Sequence, residues 1–356
     1  MQLFKYPYLV QNEILDNMKF SDLFMFSFVS KRMKKLIESS SQMQRFKIIN
    51  AIKYDHLDEG TFVCIPVHGF PDNVIQIAER DDTENDYFQL NVPGKMIDFR
   101  ISYEDNKYLP VASYQPDERE TLVASIHDYL LDFFGDSVEY YWHAHDYETP
   151  IPHLQNLIAC LELNTSEDIL DMENLENFIS LSPVLKSIDM YISNVTAPFS
   201  QGSKFYQTEY IQTCQEEPNL PDILHHFQGR QASVEIVRYN IGHVIEFVNA
   251  WKSGEAFDKL EHIIIEIILG RYRENEILHA IGAKHIDSAK KPPTHVLPKV
   301  YRDMAFDKDP NTDPITSYTY VVRETDNRMA SVLVQGRRFD FGVWDKTEEE
   351  FLRMME

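Results

Sequence analysis

The chain has 356 residues, 43 % of them hydrophobic and 12 % aromatic, which is a globular composition long enough for two or three domains. Its net charge of −23 at pH 7 argues against nucleic acid or an anionic membrane surface as a partner. No run approaches the ~18 apolar residues of a membrane span, and the opening MQLFKYPYLVQNE lacks the basic-then-apolar pattern of a secretion signal.

The charge is unevenly spread. Residues 1–50 carry eight Lys/Arg against four Asp/Glu, so the acidity belongs to the rest of the chain. Three cysteines, Cys64, Cys160 and Cys214, lie far apart with no CxxC pair, which fits buried thiols in a reducing compartment, cytoplasmic or nuclear. There the sequons at Asn164 and Asn194 would be silent.

The first predicted elements are three short helices. Pro7 suits a first helical turn, and Val10, Ile14, Leu15 and Met18 fall on one face. Ser21 is placed to cap a second helix whose Leu23, Phe24, Phe26, Phe28 and Val29 are apolar almost all round. Ser30 is placed to cap a third, in which Met33, Leu36 and Ile37 share a face. Three helices of this size cannot cover the second on every side, so the surplus must be hidden by the rest of the chain or by another protein. On periodicity alone, a helical subdomain whose aromatic stripes are core fits well.

After a polar stretch at 38–42, residues 46–115 read as β-rich: FKIINAIKY, TFVCIPV, NVIQIAE, YFQLNV and KMIDFRISY, bounded by Gly, Pro, Asn or Asp. The acidic tip at 81–86 reads as a hairpin or surface loop. From about residue 119 the pattern becomes helix followed by strand. Leu122, Val123, Ile126, Leu130 and Phe133 precede SVEYYW; DMENLENFISLSP precedes LKSIDMYI; PDILHHFQG precedes SVEIVRY; and GHVIEFVNAWKSG precedes LEHIIIEI. Such units predict a parallel sheet covered by helices, like a curved leucine-rich-repeat array of uneven period. Residues 284–314 read as proline-broken loops, and the end returns to strands and a short acidic helix. The predicted fold class is therefore α+β or α/β, with divisions at 1–45, 46–118 and 119–356.

No phosphate-cradling or hydrolase-elbow motif occurs. One cluster, His143, His145, Asp146, Glu148 and His153, has metal-ligand residue types, but a polar strand end running into Pro150 and Pro152 is the better reading. His225-His226 reads as surface. No cofactor, metal or catalytic residue is expected, and the chain does not read as an enzyme.

The residue order at the N-terminus resembles the F-box: Pro7, Val10, Ile14, Leu15, Met18, Asp22, Leu23, Val29, Ser30, Lys31 and Arg32 fill its places without a gap, with Met33 where Trp is usual. The resemblance implies docking to a Skp-type adaptor, and through it to a cullin–RING ubiquitin ligase core. It implies Pro7, Val10, Ile14, Leu15, Leu23, Phe28, Val29, Ser30, Lys31 and Met33 as adaptor-binding residues, with Arg32, Lys34 and Lys35 at the rim. Over about 200–345, Trp251, Gly254, Leu260, Arg323, Ala330, Phe341 and Trp344 resemble the F-box-associated domain of nematode F-box families, with Asp326-Asn327 where Asp-Gly is expected. That resemblance implies recognition of a protein substrate for ubiquitination, including foreign or selfish toxin-like proteins. The alternative reading is a binding module that sequesters a partner without the ligase.

Overall fold

A computed structural model describes residues 3–39, 49–67, 70–81, 83, 86–92, 94–104, 107–195, 197–215, 220–237, 240–297 and 313–355. Among these, one compact unit takes residues up to 144 together with 152–158, and a second takes 145–151 and the described residues from 159 onward.

The first unit begins with helices α1 (Tyr8–Asp16), α2 (Phe20–Val29) and α3 (Lys31–Ser39). Pro7 precedes α1, and its carbonyl accepts from the Val10 and Gln11 N–H groups at 2.9 and 3.1 Å. Helix α2 starts one residue before Ser21, which is buried inside its first turn; Lys19 holds the cap position without a side-chain bond, so the expected Ser21 cap is not made. Ser30 does cap α3, its Oγ accepting from Met33 N–H at 3.1 Å.

Strands β1 (Ala51–Leu57), β2 (Gly60–Val67), β3 (Phe70–Glu79), β4 (Phe88–Val92), β5 (Lys95–Glu104) and β6 (Lys107–Tyr114) follow, then α4 (Arg119–Phe134) and β7 (Glu139–Ala144). Their order in the sheet is β7-β1-β2-β3-β6-β5-β4. β1 runs parallel to β7 and β3 parallel to β6; the other neighbours are antiparallel. β6 escapes sequence patterning because Pro110 interrupts it. The fold accommodates that proline opposite Ile101 of β5, one residue before β6 begins pairing with β3 at Val111. β3 and β4 are not sheet neighbours; of the acidic 81–86 tip, residues 82, 84 and 85 lie outside the described residues, and the Asp81 carboxylate accepts from Thr83 N–H and hydroxyl.

Helix α4 buries the face its spacing predicts, Leu122, Val123, Ile126, Leu130 and Phe133, and stops at Gly135 with φ +84°. His127 sits in that face fully buried. The Tyr54 hydroxyl donates to its Nδ1 at 2.8 Å, and its Nε2–H donates to the Gln155 carbonyl at 2.7 Å, a pairing that needs the neutral ring. α4 and β7 thus complete the first unit, which extends past the change of sequence pattern near residue 118.

In the second unit, β8 (Leu157–Leu170, joining it at Ala159), β9 (Ser187–Val195), β10 (Tyr210–Gln215), β11 (Gln231–Ile236) and β12 (His262–Ile267) lie parallel in chain order. Helices α5 (Met172–Leu181), α6 (Leu220–His226) and α7 (Ile241–Ser253) return the chain between them, with a single 3-10 turn at Lys204–Gln207 before β10. Asp171 caps α5 and Asn240 caps α7 through their side-chain oxygens. The sequence reading omits β8 and β10, although Leu161 and Leu163 alternate with Glu162 and Asn164 in β8, and their omission makes the strand spacing look more uneven than it is.

After α8 (Glu274–Ala280), the strands β13 (Lys284–His285), β14 (Thr294–His295), β15 (Ile315–Thr316), β16 (Thr319–Val322), β17 (Arg328–Gln335) and β18 (Arg338–Thr347) are followed by α9 (Glu348–Arg353). β18 pairs antiparallel with β12, and β17, β16 and β13 extend the sheet; β14 and β15 form a separate pair. The predicted turn at Asp326-Asn327 is present, with Asn327 at φ +58°, a conformation Asn tolerates better than most residues. Trp251 is fully buried edge-on to Phe341, with Arg323 over its ring and paired to Asp326.

Candidate functional site

The N-terminal helices are where the sequence concentrates its unexplained apolar surface, and much of it is covered within the first unit. Phe24 and Phe28 of α2 meet Tyr129 of α4 at ring-centroid distances of 5.7 and 4.3 Å, and Phe28 also meets Phe99 of β5 at 5.9 Å. The Tyr129 hydroxyl donates to Ser27 Oγ at 2.6 Å, and Ser27 donates in turn to the Phe24 carbonyl. Burial pushes the Tyr129 hydroxyl well above its usual pKa, so it stays a donor at any physiological pH. Lys34 lies over the Tyr129 ring and pairs with Asp132 at 2.5 Å.

The residues expected to bind the adaptor divide by burial. Leu15, Leu23, Phe28 and Met33 are buried inside their own chain. Periodicity identified them as apolar contacts, but it does not distinguish a partner's helices from the chain's own sheet and α4. Pro7, Val10, Val29, Ser30 and Lys31 are exposed, and Ile14 is half-buried. At the rim, Lys35 is exposed, Arg32 stacks over Phe4, and Lys34 is engaged as described.

Tyr8 and Leu9, which the pattern did not single out, are exposed beside Val10; Leu9 is 79 % and Val29 61 % accessible. Phe28, Val29, Ser30, Lys31, Lys34 and Lys35 line a cavity of about 750 Å³ together with Asn91, Gly94 and Asp132. The helices therefore expose aliphatic side chains at Leu9, Val10 and Val29, and Lys31 and Lys35 of α3 are exposed as well.

His143 is buried on β7 and belongs to the first unit, whereas His145, Asp146 and Glu148 open the second, where Asp146 Oδ1 accepts from Glu148 N–H as a turn. His225 is exposed and His226 half-buried against Tyr206. Burial pushes the Cys64 thiol up to about 12, aided by Asp55 and moderated by Lys53, and the Cys214 thiol up to about 11, aided by Glu235. Neither is poised as a thiolate nucleophile.

Residues 7–44 match the F-box domain family. An F-box domain thus forms the N-terminal part of this chain; such domains bind Skp-type adaptors in SCF-type ubiquitin ligases and generally serve there as non-catalytic substrate receptors. No curated protein and no solved structure matches the chain.

Proposed function

We propose that this protein is the substrate-recognition subunit of an SCF-type cullin–RING ubiquitin ligase. The F-box match at residues 7–44, with Leu9, Val10 and Val29 exposed on its helices, is the observation that carries the reading. Adaptor contact runs through Pro7, Val10, Ile14, Val29, Ser30 and Lys31, with Leu9 and Tyr8 added and with Lys31 and Lys35 steering an acidic partner. The second unit, an F-box-associated domain with leucine-rich-repeat-like order, holds the protein to be ubiquitinated. Parallel β8–β12 in chain order, each backed by a returning segment, supports that part of the reading. The receptor works in the cytoplasm or nucleus on a foreign or selfish target, and contributes no chemistry of its own; it raises the effective concentration of the target's lysines at the charged ubiquitin.

The test is co-purification of the full chain with a Skp-type adaptor and a cullin. Recovery of both supports the receptor; recovery of a target without either supports the second reading, stoichiometric sequestration. That second reading draws on the burial of Leu23, Phe24 and Phe28 within the chain's own first unit.

A further inference from the structure

The cavity beside the N-terminal helices is lined from two places in the chain. Val29, Ser30, Lys31 and Lys35 lie within the stretch that matches the F-box domain, whereas Asn91 and Gly94 belong to the end of β4 and its turn into β5, well beyond that stretch. The chain leaves the charge of this cavity unbalanced. Lys31, Lys34 and Lys35 stand within four residues of one another on α3, and Lys31 shares a helical side with the other two, where like charges weaken a helix. Asp132 at 2.5 Å and Glu38 at 3.9 Å compensate Lys34. Lys31 and Lys35 form no ion pair among the described residues, although acidic residues outnumber basic ones 57 to 34 along the chain. The first turn of α3 carries Lys31 and Arg32 and no acidic residue, against the preference of a helix N-terminus for negative charge. Asn91 is exposed and its side chain makes no hydrogen bond among the described residues. A Cβ at Gly94 would meet nothing within 4 Å beyond its chain neighbours, so the space at the turn is open.

We infer that the adaptor's footprint extends past the F-box: an acidic segment of the Skp-type adaptor lies in this cleft, with an aliphatic side chain on Val29, carboxylates at Lys31 and Lys35, and its backbone against the Asn91 amide of the β4–β5 hairpin. The inference rests on the receptor reading. Continuity and charge select the occupant. Adaptor binding is the property of the F-box domain, and Val29, Ser30 and Lys31 are both exposed helix residues of that domain and lining of the cleft, so a partner docked on them reaches Asn91 without a second interface. Carboxylates placed here would relieve the like charges along α3 and supply the acid missing from its first turn. A volume of about 750 Å³ falls within the ~300–1,000 Å³ of pockets that enclose a drug-sized molecule, which is room for a few side chains of an inserted segment.

Titration of the full-length protein with a purified Skp-type adaptor tests this through Asn91, which lies outside the F-box match and is exposed on β4. The predicted order of affinity is Asn91→Lys above the unmodified protein above Asn91→Glu, each step about fivefold, the size expected of one exposed charge contact made or opposed. Thr121→Glu adds the same charge at an exposed position of α4 that does not line the cleft, and is expected to stay within about twofold because solvent and salt screen it. Urea midpoints recorded for all three variants establish that each is folded. Any other order of affinity overturns the proposal, as does equal weakening by Asn91→Glu and Thr121→Glu, which would reduce the effect to general repulsion. Full-strength binding by Asn91→Glu removes the cleft from the interface and leaves the receptor reading standing; an unmodified protein that binds no adaptor overturns both.

Discussion

At Phe28 the two possible fates of a greasy residue, sealing against the chain or waiting for a partner, are decided by Tyr129 and Phe99. A buried Phe truncated to Ala loses transfer energy and leaves a void. Phe28→Ala should therefore lower unfolding stability by about 3 kcal/mol, read in urea titration of the full chain. Val29→Asp, one residue on and exposed, should leave it within about 0.5 kcal/mol. Equal destabilisation by both would contradict the assignment of inside and outside on α2. A second residue-scale test concerns His262, buried on β12 with its ring parallel to that of His295. Burial drives the His262 pKa from 6.5 down to about 3, with His295 and Arg338 adding to it, and burial also lowers His295 and His127. A His with a depressed folded pKa binds fewer protons in the native state than in the unfolded one, so native stability is full above about 6.5 and falls as pH drops below it. The paired carboxylates Glu209 and Asp326 have lowered pKa values and lose their contribution only further down, below about 4.5. The urea midpoint should accordingly fall between pH 7.5 and 5.5, and the slope should flatten in His262→Gln if that variant folds. An unchanged midpoint over that range would contradict the burial of these rings.

Among the elements, helix α7 shows how a local signal and a tertiary contact combine. Its end was legible, since Gly254 follows the Val244–Phe247–Val248–Trp251 stripe, and the structure finds that glycine in the left-handed region at φ +74°. A Cβ there would also come within 2.5 Å of the Thr325 side chain, which no sequence pattern reveals. Gly254→Ala should cost about 2 kcal/mol, seen as a drop in melting temperature with the F-box head unaffected. The same division runs through the rest of the fold. α1–α3, α4, α7 and the closing hairpin were readable because periodicity, caps and turn residues are local. β6 was hidden by Pro110, whereas the alternation of Leu161 and Leu163 with Glu162 and Asn164 in β8 is a strand signal that went unread. Which face of α2 meets which partner was not readable at all, because Phe99 and Tyr129 lie far along the chain.

For the whole molecule, the head and the body divide the labour by charge as well as by fold. Residues 1–50 carry eight Lys/Arg against four Asp/Glu, and the remainder of the chain is acidic. The order of the N-terminal residues was legible as a resemblance to the F-box; which of them are buried was not, and Leu15, Leu23, Phe28 and Met33 are buried while Leu9, Val10 and Val29 are exposed. A receptor of this design should release its adaptor when that edge is altered and keep its fold. The most direct measurement is the affinity of the full chain for a purified Skp-type adaptor, with Leu9→Asp/Val29→Asp compared with the unaltered protein and unfolding stability recorded alongside. Adaptor binding weakened at least about a hundredfold at unchanged stability is the predicted result, as expected when two exposed apolar anchors are replaced by charge. Full-strength binding by the folded double variant would contradict the assignment of this edge as the docking site.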